Sequence, residues 1–216
     1  MQPNGMIFWD WNGTLMDDVE FTHGCLNWML ETHGYPQRYD LAAYREIFDF
    51  PIETYYLRAG FDFARHPYPA LAARFMEHYN AGVAACPVTA HAVQALTELS
   101  RRGWQQAVLS ASRRDYLIEQ VTARGLQGFF TELLGLADIY GVSKVQLGTD
   151  YLHRSRIDPA ACVMIGDTTH DAEVAAAIGA KCVLYTGGHQ SRARLEQASP
   201  YVIDDLALLP ELLETI

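Results

Sequence analysis

A short apolar run near the start of the chain ends abruptly in a carboxylate. Residues 6–9 read M-I-F-W, Asp10 follows at once, and an Asn12-Gly13 turn signal comes two residues later. The run is too short for a helix and rich in aromatic and branched side chains, which predicts a buried strand. Because ligands bind beyond the carboxyl ends of strands in an open parallel sheet, this strand would deliver Asp10 to a binding crevice. On its own, D-x-N-G would more simply be a turn.

From about residue 85 onward, the sequence alternates between strand-like and helical stretches. The predicted strands lie at residues 106–109, 133–136, 162–165, 182–185 and 201–203. The predicted helices lie at residues 89–102, 114–124, 143–154, 169–178 and 206–214. Strands that alternate with helices of this length indicate right-handed crossovers and a parallel sheet. We therefore predict an α/β fold with a Rossmann-like parallel sheet core.

The block between the first strand and this alternating part has helical periodicity and no strand signal. Helices are predicted at residues 17–33, 41–48 and 51–60, and a fourth carries Leu71, Phe75 and Tyr79 at a spacing of four. Such spacing gives a helix one apolar face. We therefore expect a core domain of residues 1–15 and 86–216, into which residues 16–85 are inserted as a small helical cap domain.

Net charge, hydropathy and cysteine spacing indicate which partners and which cellular compartment to expect. A formal net charge of −10 over 216 residues disfavours a nucleic-acid binder, which needs a basic face. The sequence holds neither an apolar run of membrane-spanning length nor the pattern of a signal peptide. The four cysteines are far apart and without a C-x-x-C, as expected of buried thiols in a reducing compartment. We expect a cytoplasmic monomer or homodimer with no nucleic-acid or membrane partner.

Polar side chains follow several of the predicted strands. They are Asp10, Ser110, Lys144, Asp167 and Asp171. Because parallel strands end at one edge of a sheet, these groups can converge there. Carboxylates suit Mg²⁺, whereas a serine hydroxyl, an ammonium and the backbone amides near Asn12, Gly13 and Ala111 suit phosphoryl oxygens. Each residue alone has a simpler explanation as a turn, surface or capping residue; together they favour a catalytic site.

These motifs resemble those of the haloacid dehalogenase superfamily. They are D-W-N-G-T-L at residues 10–15, V-L-S-A-S at 108–112, G-V-S-K-V at 141–145 and I-G-D-T-T-H-D at 165–171. The set most resembles the phosphoglycolate phosphatase and β-phosphoglucomutase branch, in which a helical cap is inserted after the first motif. The resemblance implies an Mg²⁺-dependent phosphatase that acts on a small phosphorylated metabolite.

The resemblance also implies roles for single residues. Asp10 would be the nucleophile, forming an aspartyl-phosphate, and a ligand of Mg²⁺. The backbone carbonyl of Asn12 would be a second ligand. Asp167 would bind the metal directly, and Asp171 directly or through water.

On the phosphate side, the resemblance implies that Ser110 binds the phosphate. Lys144 would balance charge between the nucleophile and the phosphate. The amides at Gly13 and Ala111 are further candidates for phosphate contacts.

The first motif departs from the family pattern at one position. Most phosphatases of this family carry D-x-D, and the second aspartate protonates the leaving group and then activates water; here that residue is Asn12. An amide has no proton to exchange near neutral pH. General acid–base help is typically worth about 10²–10⁴ in rate, and its loss matters least for aryl or acyl phosphates. His23 is a candidate replacement, although a helix-surface histidine is the simpler interpretation.

Asn12 also leaves a second hypothesis open. The chain would then be a phosphate-ligand-binding or regulatory protein with weak or no turnover. Other branches fit less well. Phosphonatases need a cap lysine for a Schiff base, and residues 16–85 contain none. Dehalogenases lack an acidic pair such as Asp167 and Asp171, and a phosphomutase needs the missing acid.

Cap residues would select the substrate by closing over the crevice. Arg45, Tyr55 and Arg58 are candidates, although packing or solvation is the simpler explanation for such side chains. The segment G-G-H-Q-S at residues 187–191 follows a late predicted strand, and it either approaches the site or simply turns.

Overall fold

The computed structural model describes residues 5–137 and 143–216. The first two residues of the motif around Lys144, at positions 141–142, lie outside this range. The strands of the described part are β1 (Met6–Trp9), β2 (Gln105–Arg113), β3 (Glu132–Leu136), β4 (Val163–Gly166), β5 (Lys181–Tyr185) and β6 (Val202–Ile203). They form one parallel sheet in the order β3-β2-β1-β4-β5-β6. The predicted α/β parallel sheet is confirmed.

Some of the helices cover the two faces of this sheet. The helices of the described part are α1 (Val19–Thr32), α2 (Leu41–Ile47), α3 (Ile52–Arg58), α4 (Tyr68–Gly82), α5 (Ala92–Arg101), α6 (Arg114–Ala123), α7 (Lys144–Ser155), α8 (Thr169–Ile178), α9 (Arg192–Ala198) and α10 (Leu209–Leu212). Side chains of α5, α6 and α10 pack on one face of the sheet, and those of α7 and α8 pack on the other. None of the helices in the described chain is both long and apolar enough to cross a membrane.

Strand β1 lies in the middle of the sheet, between β2 and β4. Its four side chains are fully buried, with alternate residues in the clusters on opposite faces. A strand covered on both sides needs apolar residues throughout, which is why residues 6–9 show no polar alternation. The chain leaves β1 at its carboxyl end, so Asp10 stands at the edge where the neighbouring strands also end.

Helices α1 to α4 build a third apolar cluster, which is rich in aromatic side chains. Its fully buried members include Leu30, Tyr44 and Ala59. The chain passes between this helical unit and the sheet at two adjacent places, where Met16 forms an isolated bridge with Val88. This arrangement supports an inserted cap, and the domain limits given above stay a prediction.

Three element limits differ from the sequence-based expectation. Helix α5 begins at Ala92 because His91 is left-handed, with φ of 60°, which a helix cannot include. Strand β2 continues past Leu109 to Arg113, with a shift in register against β3. The helix predicted at residues 206–214 is a 3₁₀ turn, Leu206–Leu208, followed by the single turn of α10.

Gly125, which follows α6, tests the backbone conformation that ends a helix. Its φ is +69°, and an added Cβ would meet no atom within 4 Å. A left-handed conformation costs a non-glycine residue about 1–2 kcal/mol. We expect Gly125→Ala to lower the free energy of unfolding by about that amount, measured by urea denaturation.

Gly128 is the matched control, because it is equally open but lacks a positive φ. Gly128→Ala should leave the free energy of unfolding unchanged or raise it slightly, since alanine restricts the unfolded chain. Equal effects of the two substitutions would show that backbone strain at Gly125 is not the cause of the change in unfolding free energy.

Candidate active site

Three carboxylates from separate parts of the sequence meet at the carboxyl edge of the sheet. Asp10 follows β1, Asp167 follows β4, and Asp171 lies in the first turn of α8. All three are buried, and each offers an oxygen such that the three atoms lie within 4.8 Å of one another. The parallel topology thus brings together groups that are 157 residues apart along the chain (Asp10 to Asp167).

Lys144 joins two of these carboxylates. It opens α7, is 5% exposed, and its Nζ donates to Asp10 Oδ1 and to Asp171 Oδ1, each at 2.6 Å. Burial by itself would lower the pKa of this ammonium, but the charges of Asp10 and Asp171 outweigh burial and raise it. Lys144 therefore stays charged and holds the two carboxylates in place.

Asp171 is fixed by the loop that precedes it. Its Oδ2 accepts hydrogen bonds from the backbone N–H of Asp167, the N–H of Thr168 and the hydroxyl of Thr168, at 3.2, 3.0 and 2.7 Å. This is a capping box, in which the third helical residue returns a hydrogen bond to the N-cap. Burial would raise the pKa of Asp171, but the charge of Lys144 and these hydrogen bonds lower it below its usual value.

Asp167 is oriented from both sides. Its Oδ1 accepts from the hydroxyl of Thr14 at 3.0 Å, and its Oδ2 accepts from the backbone N–H of His189 at 2.6 Å. The backbone approaches closely here: a Cβ on Gly13 or Gly188 would lie 2.5 or 2.2 Å from Asp167 Oδ2. Only glycine fits at these two positions, so the loops after β1 and β5 both wrap around this carboxylate.

The charges of this cluster do not balance. Three carboxylates surround one ammonium, and burial is the largest influence on the pKa of both Asp10 and Asp167, which it raises. Uncompensated, buried negative charge of this kind favours a cation, and carboxylate oxygens are the donors that Mg²⁺ prefers. The donor set therefore fits a divalent cation, held by Asp10 and Asp167 with Asp171 beside them.

A cavity of about 450 Å³ opens between this cluster and the cap. Ser110, Ala111 and Lys144 line it together with Asp10, where a phosphate was expected. The amide of Gly13 was expected to be available to a phosphate. In the structure it donates to Asp18 Oδ1 at 2.8 Å and to the Met16 carbonyl at 2.9 Å. Its phosphate contact stays a prediction.

The side chain of Asn12 is held by three hydrogen-bond partners. Its Nδ2 donates to Asp18 Oδ2 at 2.9 Å and to the Tyr79 hydroxyl at 2.8 Å. Its Oδ1 accepts from the Ser112 hydroxyl at 2.7 Å. An aspartate at this position would place a second carboxylate against Asp18, so the amide matches its surroundings in a way the sequence motif did not reveal.

Asp18 and His189 form a buried pair beside this network, and the sequence analysis assigned neither a role. Asp18 is 1% exposed, and its Oδ1 lies 3.5 Å from His189 Nε2. Burial opposes both charges, but hydrogen bonding and mutual attraction outweigh it: they lower the pKa of Asp18 and raise that of His189. His189 Nδ1 also contacts the Tyr44 hydroxyl at 2.8 Å.

The segment at residues 187–191 therefore approaches the site, the first of the two alternatives considered. It also fastens the cap to the core. Arg45 donates to the carbonyls of Gly187 and Gly188, both at 2.9 Å, and Gln190 donates to the Phe48 carbonyl at 3.0 Å. Arg45 thus clamps the loop instead of lining the cavity.

Of the two other cap residues proposed to contact the substrate, Tyr55 and Arg58, only one lines the cavity. Tyr55 lines the cavity, and its buried hydroxyl has no hydrogen-bond partner within the described chain. Arg58 does not line the cavity and forms an ion pair with Asp49. His23 lies away from the cavity, with Nε2 at 2.6 Å from the Tyr39 carbonyl, so it does not replace the missing acid.

Comparison with known proteins agrees with this geometry. The family model described as haloacid dehalogenase-like hydrolase matches residues 7–185. The chain belongs to this family. The expected membership, and the expectation of a hydrolase, are both confirmed. The haloacid dehalogenase-like match includes Asp10, Ser110, Lys144 and Asp167.

Individual relatives within the haloacid dehalogenase-like family cover nearly the whole chain. A phosphoglycolate phosphatase from Synechococcus elongatus is 25% identical over 198 residues, which are 90% of this chain and 89% of that protein. A solved structure of a predicted phosphatase from Clostridium acetobutylicum superposes with a TM-score of 0.83 at 18% identity, covering 98% of this chain and 99% of the other. The solved structure of a haloacid dehalogenase-like family protein from Streptococcus pneumoniae superposes with a TM-score of 0.82 at 18% identity, with 98% of each chain covered. The two structures establish the shared fold.

The unbalanced cluster predicts how stability changes with pH when no metal is present. Groups with a raised pKa, here Asp10 and Asp167, contribute stability that is complete below their unfolded values and is lost as the pH rises through the folded ones. In EDTA we therefore expect the melting temperature to fall between about pH 5 and about pH 8. Asp167→Asn should reduce that fall by a few degrees, at about 2–4 °C per kcal/mol for a chain of this size.

Circular dichroism melts in EDTA and in excess Mg²⁺ would measure this effect. Mg²⁺ should raise the melting temperature of the wild type at pH 8, and should do so less for Asp167→Asn. Asp150→Asn, at an exposed position, controls for the loss of one charge. If the melting temperatures of the wild type and of Asp167→Asn change with pH in the same way, Asp167 is not a source of the pH dependence.

Proposed function

We propose that this protein is an Mg²⁺-dependent phosphatase that hydrolyses a small phosphorylated metabolite through an aspartyl-phosphate on Asp10. The observation that carries the proposal is the position of Asp10 at the floor of the cavity, hydrogen-bonded to the buried Lys144 and beside Asp167 and Asp171. A protein that only bound phosphate would not need a carboxylate placed to attack it.

In the proposed reaction, Asp10 is the nucleophile and Lys144 orients it. Lys144 occupies Oδ1 of Asp10, whereas Oδ2 has no hydrogen-bond partner among residues 5–137 and 143–216 and is free to attack phosphorus. That attack forms the Asp10–phosphorus bond and breaks the bond to the leaving oxygen. Water then attacks the same phosphorus, releasing inorganic phosphate and restoring Asp10. A bound Mg²⁺ would neutralise phosphoryl charge between Asp10 and Asp167.

Ser110 and Lys144 would hold the phosphoryl oxygens during both steps. Ser110 accepts a hydrogen bond from the amide of Ser112 at 3.0 Å, which leaves its own proton available to a ligand. The phosphoglycolate phosphatase relative supports a phosphate monoester as the substrate. The cysteines at 25, 86, 162 and 182 are free thiols, which supports a cytosolic setting.

The network around Asn12 favours a second candidate function. A phosphate-binding or regulatory protein would keep the cation and phosphate contacts and lose turnover. The Asn12 amide carries no ionisable proton near neutral pH, and its hydrogen bonds to Asp18 and Ser112 fix it in place. Kinetics distinguish the two functions.

We expect wild-type protein with Mg²⁺ to release p-nitrophenolate from p-nitrophenyl phosphate in a burst of about one equivalent per site, followed by slower turnover. The acidic phenol leaves without help, but the second step needs an activated water that Asn12 cannot supply, so phosphorylated Asp10 accumulates. Stopped-flow absorbance measures both phases. Asn12→Asp should speed the second phase, by up to about 10²–10⁴ if the new carboxylate acts as a base.

Asp10→Asn is the control for the nucleophile, and it should abolish both phases while keeping the fold. If the wild type shows neither a burst nor turnover and Asn12→Asp is active, the phosphate-binding function is favoured over the phosphatase. Activity that survives in Asp10→Asn would contradict the proposed nucleophile.

A further inference from the structure

The cap side of the cavity is almost entirely apolar. Its wall is formed by α3, α4 and the segment between α2 and α3, and its principal side chains are Phe48, Phe50, Tyr55, Tyr68, Phe75 and Met76. Phe75 and Tyr79 both line the cavity and stack on each other with ring centroids 5.9 Å apart. Apolar and aromatic side chains of this kind enclose an apolar ligand group. With about 450 Å³ available, the cavity has room for a ring system beside the phosphate.

The cations near the cavity are already engaged. Within the described chain, the lining residues that carry a permanent positive charge are Lys144 and Arg113. Lys144 bridges two carboxylates, and Arg113 forms two hydrogen bonds of 2.6 Å with Asp115 while lying over the ring of Tyr116. Among the described lining residues, neither of these two cations is left unpaired to face a second anionic group, such as the carboxylate of phosphoglycolate.

The leaving group is limited by a separate feature, the amide of Asn12. Tyr79 and His189, the two titratable groups beside Asn12 and Asp18, do not replace its proton, because each already has a partner: Tyr79 donates to Asp18, and His189 faces Asp18 with one ring nitrogen and Tyr44 with the other. A phenol, with a pKa of about 10 like that of tyrosine, leaves as its anion far more readily than an alkyl alcohol. The site therefore favours an acidic leaving group.

We propose that the substrate is the phosphate monoester of a phenol, an aryl phosphate whose ring lies against the aromatic wall of the cap. This inference rests on the proposed phosphatase function and adds the class of substrate to it. The apolar wall selects the ring, and Asn12 selects the phenolic oxygen. The two observations concern different properties, the apolar surface of the cap wall and the missing acid at residue 12, so each can be tested separately.

Three substrates separate the two requirements. Phenyl phosphate has the ring and the acidic leaving group, benzyl phosphate has the ring on an alkyl oxygen, and phosphoglycolate has neither. We expect kcat/KM to fall from phenyl to benzyl phosphate by about 10²–10⁴, the usual value of acid catalysis. Phosphoglycolate should be lower than benzyl phosphate by at least tenfold.

Ala72 tests the cap wall. It lines the cavity from α4, whereas its neighbour Ala73 is exposed and does not. Ala72→Arg should place a cation in the cavity and lower the ratio of kcat/KM for 1-naphthyl phosphate to that for phosphoglycolate at least tenfold. Ala73→Arg should leave the ratio unchanged. Because a ratio is compared, a general attraction of phosphate to the new charge cancels.

The double variant Asn12→Asp/Asp18→Asn tests the leaving group. It exchanges the two side chains, so net charge and their mutual hydrogen bond are preserved while an acid returns to position 12. We expect the ratio of kcat/KM for phenyl to benzyl phosphate to fall at least tenfold. An unchanged ratio in a folded variant, verified by its melting curve, would overturn the leaving-group argument.

Binding measurements keep this proposal separate from the phosphatase proposal. Asp10→Asn with Mg²⁺ should bind 1-naphthyl phosphate more tightly than phosphoglycolate in calorimetry, whether or not the wild type turns over. Preferential turnover and binding of phosphoglycolate would overturn the aryl phosphate and leave the phosphatase intact. Tight aryl phosphate binding without wild-type turnover on any substrate would support the substrate class and overturn the phosphatase.

Discussion

The buried ammonium of Lys144 is the interaction on which the rest of the site depends. It holds Asp10 and Asp171 at equal distances, and removing one partner of a buried ion pair typically costs about 3–5 kcal/mol because the other charge is left uncompensated. One ammonium cannot neutralise three carboxylates, however. The fold thus maintains a pocket with surplus negative charge, which stabilises the protein less than a neutral core would but fits a cation and, in the proposed reaction, a phosphate bound through that cation.

Asn12 couples this core chemistry to the cap. Its amide contacts Tyr79 of α4, and the same tyrosine donates to Asp18, so a cap helix touches the position that would carry the acid. Next to this network, Arg45 and Tyr44 of α2 hold the loop that carries His189. These contacts join the cap to the core through two different cap helices, α4 and α2. Closure of the cap and the hydrogen bonding of Asn12 are therefore parts of one network.

The sequence was sufficient for features with local signals. Residues 6–9 form an unbroken apolar run, and Asp10 and Asp167 follow strands directly, so topology alone predicted that they meet. Asp18, Tyr79 and His189 had no such signal, because their partners lie 61 and 171 positions apart along the chain (Tyr79 and His189 from Asp18). The spacing of Leu71, Phe75 and Tyr79 indicated a packed helix face. It could not show that part of this face lines a cavity.

The arginines of the cap show why composition did not predict the character of the cavity. Arginines in a cap are suited to binding an anionic group, yet Arg45 donates to two carbonyls, and Arg58 pairs with Asp49. The cap side of the cavity is instead a largely aromatic wall. In a family whose core chemistry is shared, we expect selectivity to follow from which cap side chains face the cavity. Here most of them are rings, whereas Arg45 contacts the loop after β5 and Arg58 pairs with Asp49 within the cap.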